Sequence, residues 1–527
     1  MEAEEIKKKQ KRVMIYTLIV SLICVVGVSY AFFTAGMSSE TSTTVRADAG
    51  TMKITYSGGA NINLAGIYPK DDVWATKTIT VTGNNTTDAE MYYKLTLVVD
   101  SNTFKTDDPL QYELVSTNTS TNGEVIPTIS KTDITGTSIE LGKGHFIKAN
   151  NAKHTYLLKI YYPKKTTSQN ANQGAAFSAH VEITSAKAPK TNGKLSELVL
   201  YNNEVKTPIT APGKEVSTAS EALLASTPDD YGTSYYFRGA VKNNYVEFAN
   251  KCWRIVRVGG DGSVKLILHN DNTAKAANPC NSANNSTTAA FARYSGTTYK
   301  SAFNTNTDDN AYVGFMYGTP GSSTYADTHA NTNKSTILTN LETWYNNNLK
   351  TYESVIDDNV WCNDKTNVTD TTYKPLWADV NGLGLGYGKN VTYYGATKRL
   401  VSTSDSAGGT GPSLKCNGEL SKINSKVGLI TADELAFAGY AYNIRNTVTY
   451  LKENTSGEWW SLSPSDYISI YANVWTVESY GTYFTTGYGG RGGSGVHDSY
   501  GVRPLISLKS TTNVTGNGTS DKPYKVI

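Results

Sequence analysis

The sequence predicts a mostly β, exported chain: an N-terminal apolar segment, a β-sandwich, and a larger disulfide-containing α+β region. Three observations carry this reading. Ser, Thr and Asn supply 158 of the 527 residues, a load typical of strands and turns that face water. The chain holds 36 Tyr against 15 Pro, an aromatic content that disordered chains lack. Short runs alternating in period two recur between turn residues, as in Met52-Lys53-Ile54-Thr55-Tyr56 and Thr78-Ile79-Thr80-Val81-Thr82. Charged residues are only 18%, and Ala, Glu, Lys and Leu do not dominate, which excludes a coiled coil. A net charge of +3 gives no electrostatic case for nucleic acid.

The first element is residues 1–12, a basic tail with Lys7, Lys8, Lys9, Lys11 and Arg12. Val13 to Phe33 then runs apolar, with no charge before Glu40. Such a length spans a hydrocarbon core, and the cations before it predict an inside N-terminus with the remainder outside. The same stretch reads as a signal peptide, because Ser29-Tyr30-Ala31 puts small residues where a signal peptidase inspects, with cleavage between Ala31 and Phe32. Both readings export the rest of the chain, either as a single-pass membrane protein or as a secreted one. Membrane contact is expected through residues 13–33 if they are retained.

A polar linker, 34–48, leads to residues 49–187, where further strands are expected at Tyr92 to Val99, Tyr156 to Tyr162 and Phe177 to Ile183. Short strands at this spacing predict a sandwich, and the absence of cysteine there leaves a packed core to hold it. Residues 188–230 read as an exposed linker with a short helix around Ser217 to Leu224. The region 231–527 opens with a hairpin, Trp253 to Val258 and Val264 to His269, turned by Gly259-Gly260-Asp261-Gly262-Ser263. Ile337, Leu338, Leu341, Trp344, Tyr345 and Leu349 form a helical stripe behind a Ser335 cap. Thr431 and Glu434 have capping-box spacing. The chain ends in strand-like text, Val502 to Leu508 and Tyr524 to Ile527.

Cys24 lies in the apolar segment, and the other four cysteines, Cys252, Cys280, Cys362 and Cys416, lie beyond residue 250. An even number outside the membrane predicts disulfides in one of three connectivities, with the sequence neighbours Cys252–Cys280 and Cys362–Cys416 favoured. Zinc is a poor alternative, since the sequence has no CxxC and no His at ligand spacing.

Two resemblances add to this. The basic flank, the apolar segment, Tyr30-Ala31-Phe32-Phe33-Thr34 and Ala49-Gly50-Thr51-Met52-Lys53-Ile54 resemble the TasA/camelysin group of Gram-positive surface proteins. That resemblance covers about residues 10–187. It implies a jelly-roll-like sandwich that assembles into biofilm fibres through its mature N-terminal strand. The protease claim attached to the camelysin label does not carry over, because the sequence has no HExxH and only scattered His145, His154 and His180. From about residue 230, the run from Tyr235 to Val246, Cys252 to Arg257, Ala311 to Gly318, Val427 to Glu434, Trp459 to Pro464 and Val502-Arg503-Pro504 resemble an uncharacterised Gram-positive surface module. Its closing pattern is similar to the C-type-lectin-like and formylglycine-enzyme-like superfold. That superfold hosts binders and enzymes alike.

Candidate sites follow. Trp459, Trp460 and Arg503 read either as a functional platform or, better, as core with a buried ion-pair partner. Tyr483, Tyr488, Arg491 and His497, in a Gly-rich stretch, suit sugar or protein contacts, since Tyr offers a flat face plus a hydroxyl at low entropy cost. The bland alternative is a solvated loop, and it applies also to Gly386-Tyr387-Gly388. Asp308, Asp309 and Asn310, and Asp357 and Asp358, do not match calcium-loop spacing and are expected to be solvated. No metal, cofactor or catalytic constellation is proposed, and no cysteine follows Cys416 to supply a formylglycine-type pair. The reading is therefore non-enzymatic: adhesion or binding of a glycan or protein at the bacterial surface through 231–527. The alternatives are a self-associating matrix or fibre subunit, and an exported enzyme with an unidentified site.

Overall fold

A computed structural model describes residues 47–48, 51–86, 90–119, 122–373, 384–468, 470–478, 483–485 and 495–527. The apolar segment 13–33 and the Ala31/Phe32 junction lie outside the described residues, within which no helix is long and apolar enough to cross a membrane. Strands hold 41% of the residues and helices 13%, so the class is mostly β. The chain divides into two compact units, one up to Ala188 and one from Pro189.

The first unit is a two-sheet antiparallel sandwich. One sheet orders its strands Ala47–Asp48, Thr51–Ser57, Lys70–Asn85, Ala149–Tyr162, Gln111–Ser116 and Ile129–Asp133. The other orders them Ile62–Ala65, Ala176–Ser185, Met91–Asn102, Ser138–Phe146 and Gly123–Glu124. The alternation seen in the sequence sets which face is inner. Met91, Tyr93, Leu95, Leu97 and Val99 are buried along one strand, and Tyr156, Leu158 and Ile160 along another, with half-buried residues between them. One polar knot sits in this core. The Tyr93 hydroxyl lies 2.7 Å from His154 Nδ1 and also bonds the Tyr156 hydroxyl, to which the Ile126 amide donates. Phe146 stacks on the His154 ring at 4.0 Å. Burial drives the His154 pKa down to about 4, helped by nearby His145, so the ring is neutral.

The second unit is built on a nine-stranded and a six-stranded sheet. The expected hairpin forms from Lys251–Val258 and Val264–Asn270, and its strands are buried almost throughout, as apolar residues on both faces require. Helix Thr336–Asn348 buries Ile337, Leu338, Leu341, Trp344 and Tyr345, and the Ser335 hydroxyl caps it by accepting from the Leu338 amide at 3.2 Å. Helix Ala432–Ala438 has the full Thr431/Glu434 capping box.

Two expectations need correction. Residues Ser217 to Leu224 form no helix. Turns there lead into strand Ala222–Pro228, which pairs with Thr233–Gly239 and buries Leu223, Leu224 and Ala225. Cross-strand pairing overrides the helical propensity of Glu-Ala-Leu-Leu-Ala. Nor is 188–230 an exposed linker. Helix Leu195–Asn202 packs Leu195, Leu198 and Val199 into the second core, and Glu221 is fully buried, 3.0 Å from Arg238.

Candidate functional site

The four described cysteines form two disulfides, Cys252–Cys280 and Cys362–Cys416. Trp459, Trp460 and Arg503 are all fully buried, so they are core and not a platform. Among the described residues, however, no carboxylate pairs with Arg503. Its guanidinium instead donates to the carbonyls of Leu268 at 2.9 Å and Leu451 at 2.6 Å and lies 5.1 Å from the Trp459 ring.

The predicted Tyr/Arg/His loop is split. Tyr488 and Arg491 lie outside the described residues. Tyr483 begins strand Tyr483–Thr485, opposite Glu478, at the far end of strand Tyr471–Glu478. His497 is exposed and stacks on Tyr471, at the near end of that strand, with rings 5.9 Å apart and 15° from parallel. Seven strand steps at roughly 3.3 Å separate the two ends by about 23 Å, so Tyr483 and His497 cannot share one small ligand.

The His497 end has neighbours that the sequence reading did not join to it. Backbone bonds from Ala472 to Thr307 at 2.7 Å, and from Val496 to Ala472 at 3.0 Å, tie Tyr471 and His497 to the 306–317 segment. There the Asn306 amide donates to the Tyr312 hydroxyl at 3.1 Å, and the Tyr312 and Tyr317 rings lie 5.5 Å apart. Exposed Asp308 and Lys389 lie 3.7 Å apart beside them. Asp309 and Asn310 are buried, not solvated. Asp309 accepts from the Ala311 and Gly321 amides, each at 2.9 Å, and Asn310 donates to Gly388 and Asn390 carbonyls. That knot fixes the Gly386-Tyr387-Gly388 turn, where both glycines take positive φ, 75° and 54°. No group of three or more His, Cys, Asp or Glu among the described residues is disposed to hold a metal.

A second feature is a narrow cleft floored by charges from distant parts of the chain. Glu434 Oε1 accepts from Lys265 Nζ at 2.7 Å and Arg257 Nε at 3.0 Å, and Arg257 Nη1 reaches Asp229 at 2.9 Å. Beside them Arg399 forks onto Asp433, at 2.7 and 2.8 Å, and donates to Asp364 at 2.7 Å. Burial opposes ionisation of Glu434, but Lys265 and Arg257 outweigh it and hold the carboxyl at about 2. The open space is ≈ 40 Å³, which admits a few waters and no sugar ring. Cys362 and Cys416 stand at its wall. The sequence signals for this cleft were the Thr431/Glu434 capping box and the Cys362–Cys416 pair. Its other members are spread from Asp229 to Asp433 with no common motif.

No family model matches the chain, and no curated protein matches it.

Proposed function

We propose that the chain is an exported surface protein whose second unit binds an extracellular glycan without turning it over. The observation that carries this is the stacked Tyr471–His497 pair beside Asn306, Tyr312 and the Asp308/Lys389 pair. Flat ring faces suit the C–H face of a sugar, and amide, carboxylate and ammonium groups at their edges suit its hydroxyls. The charged cleft is too small for such a ligand, and its carboxylates are already engaged by cations. The resemblance of residues 231–527 to lectin-like surface modules points the same way, as does the apolar segment 13–33, which would anchor or export the chain. A glycan array with the exported chain is the test. Specific retention that falls at least ~10-fold in Tyr471→Ala supports the reading, by the loss of one stacking face. Binding unchanged in that variant, or capture only of protein ligands, defeats it.

A fibre-forming role is the second reading, and one edge of the sandwich favours it. Ala47–Asp48 pairs with Met52 and Thr51 of the strand Thr51–Ser57. This puts the N-terminal strand at the outer end of that sheet's strand order, and a sheet edge accepts an added strand. The jelly-roll-like TasA resemblance of residues 49–187 agrees with it. A mature N-terminus at Phe32 with concentration-dependent fibres supports this role, while a retained segment 13–33 removes it.

A further inference from the structure

The two disulfides occupy opposite surroundings. Cys252 and Cys280 are 0% and 1% exposed and packed against Tyr245. Cys362 and Cys416 are half-buried in the wall of the charged cleft, where water reaches them. Their neighbours differ as well. Cys362 follows buried Trp361 and precedes buried Asn363, on strand Asn359–Cys362, which pairs with Lys422–Ser425. Cys416 sits between exposed Lys415 and exposed Asn417, in a segment without regular structure.

The Ser413 amide donates to Asp433 at 2.9 Å, the Cys416 amide donates to Asp230 at 3.0 Å, and half-buried Leu414 packs against a small cluster with Leu223 and Tyr236. Further ties are a backbone bridge between Leu414 and Asp229, the Thr366 hydroxyl donating to the Asn417 carbonyl at 3.4 Å, and the disulfide itself. We propose that Cys362–Cys416 is a site of thiol–disulfide exchange with a small external thiol, and that opening it releases residues 412–418 from the cleft.

The step balances as an ordinary exchange. An incoming thiolate attacks Cys416 Sγ, whose residue is flanked in sequence by exposed Lys415 and exposed Asn417. A new S–S bond forms to Cys416, the old one breaks, and its electron pair leaves on Cys362 as a thiolate. A second thiolate attacks the external sulfur of the mixed disulfide and frees Cys416 as a thiolate. Two external thiols are oxidised to one disulfide, and two electrons and, on protonation, two protons reach the protein. Cys252–Cys280 cannot follow this course without unfolding, because no thiolate reaches either sulfur.

Reduced glutathione at millimolar level, added to the native full chain, followed by alkylation and peptide-resolved mass spectrometry, tests the proposal. Cys362 and Cys416 should be labelled at least ~10-fold faster than Cys252 and Cys280, with new protease cuts between residues 412 and 418 on the same time course. Equal labelling of all four, or labelling of any only in denaturant, overturns it. Reduction at Cys362–Cys416 with an unchanged cutting pattern overturns the release of 412–418. The double variant Cys362→Ser/Cys416→Ser should be cut at the same place without reductant. If that variant does not fold, the wild-type time course decides alone.

Discussion

Glu434 accepts from Lys265 at 2.7 Å through one carboxylate oxygen, while the other oxygen closes the capping box of its own helix by accepting from the Thr431 amide at 3.0 Å. One side chain thus starts a helix and neutralises a lysine that is 5% exposed and lies 4.9 Å from the Trp361 ring. Removing one member of such a buried pair leaves an uncompensated charge, which costs about 3–5 kcal/mol. Glu434→Gln keeps the cap but not the charge, so the second unit should lose about that much in denaturant unfolding. Adding Lys265→Met to the same chain should restore much of it. A loss in Glu434→Gln below about 1 kcal/mol would mean that the pair is spared by water.

Gly428 predicts a steric counterpart on the same wall. A Cβ there would meet the Trp361 indole at 2.4 Å, and the Gly428 amide is already fixed to the Leu505 carbonyl at 3.0 Å. Trp361 is fully buried and its Nε1 donates to the Ser425 carbonyl at 2.8 Å, so it cannot swing aside freely. Gly428→Ala should cost about 1–3 kcal/mol through overpacking, read as a lower denaturation midpoint at an unchanged slope.

His154 makes the sandwich sensitive to acid. Its pKa is about 4 in the fold against an ordinary 6.5, so between those values the unfolded chain binds a proton that the fold refuses. Stability therefore falls as pH drops through 6.5 and levels off below about 4, by at most about 3 kcal/mol. His154→Phe keeps a ring against Phe146 and removes the titration. Amide exchange in strand Ala149–Tyr162, corrected for intrinsic rates, should lose its acid-dependent opening in this variant. The same slope in both proteins would assign the effect elsewhere.

Much of the fold was legible because strand alternation is local. Tyr92 to Val99 and the hairpin from Trp253 to His269 could be read as they stand, and so could the Ser335 and Thr431 caps. Ser217 to Leu224 could not, because a residue such as Leu224 is held by Phe237 across the sheet, and nothing nearby in sequence announces that partner. The sites were less legible for the same reason. His497 was found from its loop composition, but Tyr471 and Asn306 join it only through tertiary hydrogen bonds. The cleft gathers residues from Asp229 to Glu434, and ion pairs between such distant positions leave no spacing to recognise.

Asp466 gives the second unit the opposite pH response at one position. It is fully buried, accepts from Asn473 Nδ2 at 2.7 Å and bonds the Ser465 hydroxyl, with no cation among these partners. Burial raises its pKa from 3.8 to about 7, against the pull of Ser465 and Asn473. Between those values the fold keeps a proton that the unfolded chain releases. Its contribution to stability therefore declines as pH rises from 3.8 and is exhausted above about 7, a total of about 4 kcal/mol at most. Asp466→Asn has the same shape, stays neutral, and can still receive the Asn473 amide on its carbonyl. The variant should match the wild type below the ordinary carboxylate range and exceed it in stability above neutral pH. Denaturant unfolding of both chains across that interval checks the sign, since a variant less stable than wild type on the alkaline side would show that the ionised carboxylate is held favourably in the fold.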